Sequence, residues 1–188
     1  MSAADVFDRI ESAVKSTGWA KEESLGRFLS FNRCSDPDKT PLLELLLHPS
    51  AEAVEFRVSE KRVVVSAKTS TVGPGYHAAV VSIIDEIGMA GFEWDWTEDD
   101  NSSGDETGYS THRNFSRLQQ SMAEFFGNLM KVVEEQVFDE YDGSAAVNVR
   151  MDSQRPTGMT GMVFPLGVRP RSWCVAAGES PSNYAMEF

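Results

Sequence analysis

The sequence is poor in cysteine and in positive charge, and each shortage excludes classes of protein. Only two cysteines, Cys34 and Cys174, occur in 188 residues, and no Cys-x-x-Cys pair is present. Neither a disulfide framework nor a cysteine-rich zinc site can be built from them. The 17 lysines and arginines face 29 aspartates and glutamates, which gives a net charge of −12. That charge repels polyphosphates and anionic lipids, so we expect binding neither to nucleic acid nor to a membrane.

Long apolar runs are missing as well, which bears on the cellular compartment. No stretch approaches the roughly 18 uninterrupted apolar residues that a membrane span requires. Residues 1–17 carry Asp5, Asp8 and Glu11 and lack the basic start and apolar run of a signal peptide. We therefore expect a cytoplasmic protein from a reducing compartment.

The content of the sequence fits one globular domain. Its 188 residues are 41% hydrophobic, which suffices for a core of ordinary size. No internal repeat, low-complexity tract or composition shift marks a boundary. We predict a single α+β domain over residues 1–188.

The first half of the chain alternates between helical and strand periodicity. Val6, Ile10 and Val14 recur at helical spacing, which predicts a helix over residues 3–17. The leucine-rich residues 42–47 favour a helix of about two turns, because leucine prefers helix to strand. The remaining elements of this half are a hairpin, a helix and an aromatic-faced strand, predicted over residues 54–67, 77–87 and 92–96.

The longest element predicted in the second half is one amphipathic helix over residues 114–138. Its apolar side chains step by three and four residues, from Phe115 through Phe125 to Val137, and Phe126 and Met130 widen the stripe. Three short strands follow, predicted over residues 147–151, 162–168 and 173–177.

Together these elements predict the α+β class. We expect a largely antiparallel sheet of roughly four to six strands, with about two or three helices packed on one face, among them the long helix at 114–138. The order of helix, hairpin, helix and sheet in an acidic domain resembles the architecture of acidic secretion chaperones. That likeness concerns the fold alone, so we take no function from it.

The most specific motif is a glycine-rich connection between a predicted strand and a predicted helix. Gly73, Gly75 and Ala78 satisfy the pattern G-x-G-x-x-A, in which unobstructed backbone amides can cradle a pyrophosphate. Pro74 removes one of those amides, and no further strand–helix–strand units follow. The alternative is a structural turn whose small residues cap neighbouring amides. The candidate ligand-binding residues are Ser70, Thr71, Gly73, Gly75 and His77.

His77 and Tyr76, at the start of the same predicted helix, are the candidate catalytic residues. They could act as a general base and a hydrogen-bond donor facing a cleft lined by loops. The helix dipole favours the neutral ring of His77 at this position. No nucleophile stands beside them in a recognised pattern, so a packed or solvent-facing histidine is the competing interpretation. The sequence specifies no cofactor.

An acidic loop over residues 97–109 is a candidate site for a divalent cation, because hard cations bind clustered carboxylate oxygens. Its spacing follows an EF-hand only in part, since the twelfth position is Ser110 instead of glutamate. A solvated loop without a metal is the alternative. The candidate ligands are Asp99, Asp100, Asp105, Glu106 and His112.

Two functions of different classes fit these observations. The leading hypothesis is a non-catalytic cytoplasmic protein-interaction module, in which an acidic surface and an apolar helix face engage a protein partner or a second copy of the chain. The alternative is a protein that binds a small ligand or nucleotide, or an enzyme, with its site at residues 73–77 and a divalent cation at the loop 97–109.

Overall fold

A computed structural model of the chain describes residues 2–21, 26–48, 51–59, 62–70, 72–96, 104–133, 135, 146–148, 161–164 and 167–180. The chain groups into two compact units. The first comprises Met1–Thr69 and Tyr76–Thr97, and the second comprises Ser70–Gly75 and Glu98–Phe188. The organisation of residues 1–188 as a single domain stays a prediction.

The first helix of the first unit, α1, covers Ala3–Ser16, which confirms the helix predicted there. The Ser2 hydroxyl accepts a hydrogen bond from the Asp5 amide at 3.2 Å, and the Asp5 carboxylate accepts one from the Ser2 amide at 2.8 Å. This reciprocal capping box satisfies two amides that the first turn leaves unpaired. The helix ends at Thr17, and a short helix, α2, follows over Gly18–Lys21.

Four strands form an antiparallel sheet in the order of the sequence. The hairpin predicted from alternation is confirmed, with Phe56 opposite Val65 and Val58 opposite Val63. Its two strands are the third and fourth of the sheet. The strands are β1 over Ser30–Ser35, β2 over Pro41–Leu46, β3 over Val54–Val58 and β4 over Val63–Ser66.

The prediction of a short helix over residues 42–47 was wrong. This segment is β2, which pairs with β1 on one side and with β3 on the other. Leu43 and Leu45 are fully buried and lie opposite Phe56 and Val54 of β3. Two flanking strands give these leucines more burial than two turns of helix would, so tertiary pairing overrides their helix preference.

The core of the first unit combines the sheet with its helices. Arg33 of β1 contacts α1, because its guanidinium donates to Asp8 and to Glu11, each at 2.7 Å. Such surface ion pairs contribute no more than about 1 kcal/mol, so apolar burial carries most of the stability. The fully buried apolar side chains of this unit are Ile10, Val14, Leu43, Leu45, Leu47, Val54, Phe56 and Ile87.

The helix predicted over residues 77–87 is confirmed as α3, which covers Pro74–Met89. It begins three residues earlier than predicted, since proline fits the first helical position, where no amide partner is needed. Its buried residues are Pro74, Tyr76, His77, Val80, Val81, Ile83, Ile84 and Ile87.

The aromatic strand predicted over residues 92–96 is absent, as this segment pairs with no strand in the described part of the chain. Trp94, one of its half-buried side chains, packs on α3 instead. The Trp94 indole donates to the Ile84 carbonyl at 2.7 Å and lies about 3.0 Å from where a Cβ on Gly88 would stand. The alternation of apolar and polar residues over 92–96 therefore does not mark a paired strand here.

The second unit contains helices and a separate sheet. Helix α4 covers Tyr109–His112, and α5 covers Phe115–Val133. The sheet has the order β5-β6-β7, with β5 parallel to β6 and β6 antiparallel to β7. Its strands are β5 over Ala146–Asn148, β6 over Gly161–Phe164 and β7 over Gly167–Pro170.

The strand predicted over residues 173–177 was also wrong. A helix, α6, covers Arg171–Glu179, and its Trp173 ring lies 5.5 Å from the Phe126 ring of α5. An apolar run of five residues does not distinguish strand from helix. In the helical conformation, Trp173 packs against Phe126.

The buried face of α5 is rotated from the predicted stripe. Leu118, Met122, Ala123, Phe126 and Met130 are buried. Two residues of the predicted stripe, Phe115 and Phe125, are instead among the exposed large apolar side chains, together with Val132. The apolar arc of this helix is wider than the face that it buries.

The described residues establish the α+β class, with one open four-stranded antiparallel sheet plus helices. The packing of two or three helices on one face stays a prediction. So does the full helix over 114–138, because residues 134 and 136–138 lie outside the described part. In the described ranges no helix is both long enough and apolar enough to span a bilayer.

Candidate functional site

The connection before α3 is built around one glycine that the backbone requires. Gly73 has a φ of +114°, a conformation that side chains rarely adopt, and Pro74 then starts the helix. Gly75 differs, because a Cβ placed on it would meet nothing within 4 Å. The turn therefore accounts for Gly73, whereas no contact with the described residues accounts for Gly75.

A small cavity adjoins this connection in the second unit. Its volume is about 10 Å³, which is room for about one water molecule. Pockets that hold small ligands measure roughly 300–1,000 Å³, so this one is far too small for a nucleotide. The predicted ligand residues Ser70 and Gly73 do line it, while Thr71 lies outside the described residues. The lining residues are Ser70, Gly73, Pro74, Gln119, Met122, Ala123 and Phe126.

In the first unit, His77 is held in a buried hydrogen bond. Its Nδ1 lies 2.7 Å from the Thr69 hydroxyl, and both residues are only 9% exposed. The contact ties the first turn of α3 to the end of the segment that follows β4. The structure thus brings His77 and Thr69 together, a pairing for which there is no local sequence signal.

Tyr76 is more deeply buried than a catalytic acid usually is. It is 7% exposed, its hydroxyl has no hydrogen-bond partner among the described residues, and burial raises its pKa to about 12. The His48 ring lies 6.5 Å from the Tyr76 ring, and the Phe28 ring lies 6.1 Å from that of His48. Tyr76 therefore stays protonated at neutral pH and belongs to an aromatic cluster.

Of the candidate metal ligands, Asp105 is engaged in capping its own turn. It is 8% exposed, and its Oδ1 accepts hydrogen bonds from the Thr107 amide at 3.0 Å and from the Thr107 hydroxyl at 2.7 Å. Its Oδ2 accepts from the Ser110 amide at 2.7 Å. The Ser110 amide lies in the first turn of α4, so Asp105 satisfies one amide of that turn from a position before the N-cap, Gly108.

His112 is engaged in the same loop. Its Nδ1 accepts a hydrogen bond from the Asn114 amide at 2.9 Å, so the ring proton sits on Nε2, 3.2 Å from the Thr107 carbonyl. Glu106 is exposed, and the other two candidates, Asp99 and Asp100, lie outside the described residues. Among the residues that are described, no three His, Cys, Asp or Glu side chains form a metal-binding group. The cation site stays a prediction.

Cys34 of β1 is placed where its thiol is hard to ionise. Partial burial raises its pKa first, and the negative charges of Glu44, Glu55 and Asp36 raise it further. A thiolate is the nucleophilic form, so this environment suppresses nucleophilic chemistry at Cys34.

Comparison of the chain with protein-family models, with curated proteins and with solved structures found no match.

The two glycines before and inside α3 give a matched pair of substitutions. Gly73→Ala should lower the free energy of unfolding by about 1–3 kcal/mol, because alanine is strained at positive φ. Gly75→Ala should leave it unchanged or raise it by up to about 1 kcal/mol, since alanine favours helix and has open space there. Urea denaturation measures both. A Gly73→Ala variant as stable as the parent protein would contradict the structural role of the turn.

The buried hydroxyl of Tyr76 predicts a pH dependence of stability. Burial raises its pKa from an ordinary value of about 10 to about 12, so above pH 10 the unfolded chain releases this proton while the folded chain keeps it. The stability contribution is complete below pH 10 and is lost as the pH rises towards 12. Tyr76→Phe removes this loss, which amounts to about 2–3 kcal/mol. Urea denaturation of both proteins from pH 9 to 12 checks it, and equal pH slopes would refute it.

The hydrogen bonds of Asp105 predict that removing its carboxylate lowers the stability of the protein whether or not a metal ion is present. Asp105→Ala should lower the free energy of unfolding by about 1–3 kcal/mol, because it removes an acceptor of three hydrogen bonds. The exposed neighbour Glu106→Ala is the control, with a change within about 0.5 kcal/mol. Thermal melts with calcium, magnesium or chelator measure both. A melting temperature that rises with either cation in the parent protein alone would favour the cation site.

Proposed function

We propose that this chain is a non-catalytic protein-interaction module with an acidic surface, and that it docks partners on one face of α5. This face, which we name the α5 stripe, consists of Phe125, Leu129 and Val132. Phe125 is 53% exposed and Val132 is 46% exposed, and Leu129 between them is half-buried. Their exposure is the observation that carries the proposal.

The helical spacing supports a continuous surface. The three residues stand at positions i, i+4 and i+7, which lie one above another on a helix. Leu118, Met122, Phe126 and Met130 already supply the buried face of α5. The stripe is therefore not required for that core, and exposed apolar side chains in a contiguous group are typical of interaction sites.

The polar candidates support a binding role over catalysis. His77 and Tyr76 are buried, and the cavity beside Gly73 measures about 10 Å³. General acid–base chemistry needs a side chain within reach of a substrate, whereas His77 and Tyr76 are both more than nine-tenths buried. The alternative of a small-ligand protein or enzyme at residues 73–77 stays a prediction, as does a cytoplasmic location.

The exposure of the stripe is tested by an environment-sensitive apolar dye. The parent protein at low concentration should enhance the dye fluorescence, and the double variant Phe125→Ser/Val132→Ser should lose most of that enhancement. Val64→Ser is the matched control, because Val64 of β4 is 54% exposed but lies opposite a charged residue, Arg57 of β3. Thermal melts confirm that each variant folds.

A parent protein without dye response would contradict the proposed function. So would a double variant that folds and binds the dye as the parent protein does.

A further inference from the structure

The α5 stripe presents apolar side chains along one line of the helix. Phe125 and Val132 stand seven residues apart with Leu129 between them, and Ser121 lies one turn before Phe125. Ser121 and Leu129 are both half-buried. An apolar line of this kind can pack against an inverted copy of itself about a twofold axis.

The charges beside the stripe have the same self-complementary order. Glu124 and Lys131 are both exposed and stand seven residues apart on the edge of the stripe, with opposite signs. An antiparallel copy of α5, related by a twofold axis midway between them, brings Glu124 of each copy opposite Lys131 of the other. A parallel copy in register would place like charges together. The charge pattern therefore selects the antiparallel arrangement.

The local charge of α5 also permits self-association of an acidic chain. The described helix carries Arg117 and Lys131 against a single acid, Glu124, whereas the whole chain has a net charge of −12. The Glu124 carboxylate accepts a hydrogen bond from Gln120 at 3.0 Å on the same exposed side. The described helix itself therefore adds no net negative charge to the contact, and salt screens longer-range repulsion over about 8–10 Å.

We propose that a second copy of this chain docks on the α5 stripe in antiparallel orientation and forms a twofold dimer. Phe125 packs against Leu129 of the second copy, and two pairs of Glu124 with Lys131 flank the apolar contact. This inference rests on the proposed function, because it names the partner for the same surface.

The extent of the surface sets the strength of the dimer. From Ser121 to Val132 the contact runs about 17 Å along the helix. Stable interfaces bury roughly 1,200–2,000 Å², more than one short pair of helices provides, so the dimer is weak. We expect a dissociation constant in the micromolar range or above.

The test is sedimentation velocity of the full chain over a range of concentrations. Glu124→Lys and Lys131→Glu should each raise the dissociation constant about tenfold or more, because each turns two attractive pairs into repulsive ones. The double variant Glu124→Lys/Lys131→Glu exchanges the charges and should return it to within about threefold of the parent value. Phe125→Ser should independently raise it about tenfold or more.

Two controls separate pairing from net charge. Glu106→Lys and Arg62→Glu change the net charge of the chain by the same amounts, at exposed positions that are not part of α5. They should alter the dissociation constant by less than about threefold, since long-range repulsion is screened at physiological salt.

The outcomes distinguish the dimer from the proposed function. Single charge variants that dimerise like the parent protein, or a double variant that is not restored, would overturn the antiparallel dimer. A parent protein that is monomeric at every concentration but binds the dye through Phe125 and Val132 would overturn the dimer and leave the stripe for a different protein partner. A monomer without dye response would overturn both.

Discussion

The structure of the first unit depends on the burial of β2 in the centre of the four-stranded sheet. Leu43 and Leu45 are fully buried, and the strands on either side fix their register against Phe56 and Val54. Truncating one such leucine to alanine typically costs about 2–5 kcal/mol, a large part of the stability of a small domain. The order of the strands therefore follows from keeping this one strand covered on both edges.

Two polar residues of the predicted sites, His77 and Asp105, form hydrogen bonds that stabilise the fold. Thr69 and His77 bond to each other at the start of α3, and Asp105 caps the turn before α4. A buried polar group that is left unpaired costs about 1–3 kcal/mol, so partners close in the chain tend to engage such groups. His77 and Asp105, two of the predicted site residues, are thus engaged in hydrogen bonds with nearby residues.

The long helix α5 has more apolar side chains than its buried face accommodates. Phe126 and Met130 are buried. Phe125, directly before Phe126, and Val132, two residues after Met130, are exposed. A helix rotates by about 100° per residue, so neighbouring apolar residues face different directions and only one set can enter a given core. The exposed set is the surface on which both proposals depend.

The sequence by itself determined the elements whose signals are local. The helix α1, the hairpin of β3 and β4, and the body of α3 follow from side-chain spacing, because periodicity records which face of an element is buried. The glycine at position 73 likewise belongs to a turn that neighbouring residues define. Only the tertiary structure decided that the leucines of β2 form a strand, that Trp173 lies on a helix and which arc of α5 is buried. Those choices depend on partners distant in the chain, namely the flanking strands for β2 and the Phe126 ring for Trp173, and a pattern of neighbouring residues carries no record of them.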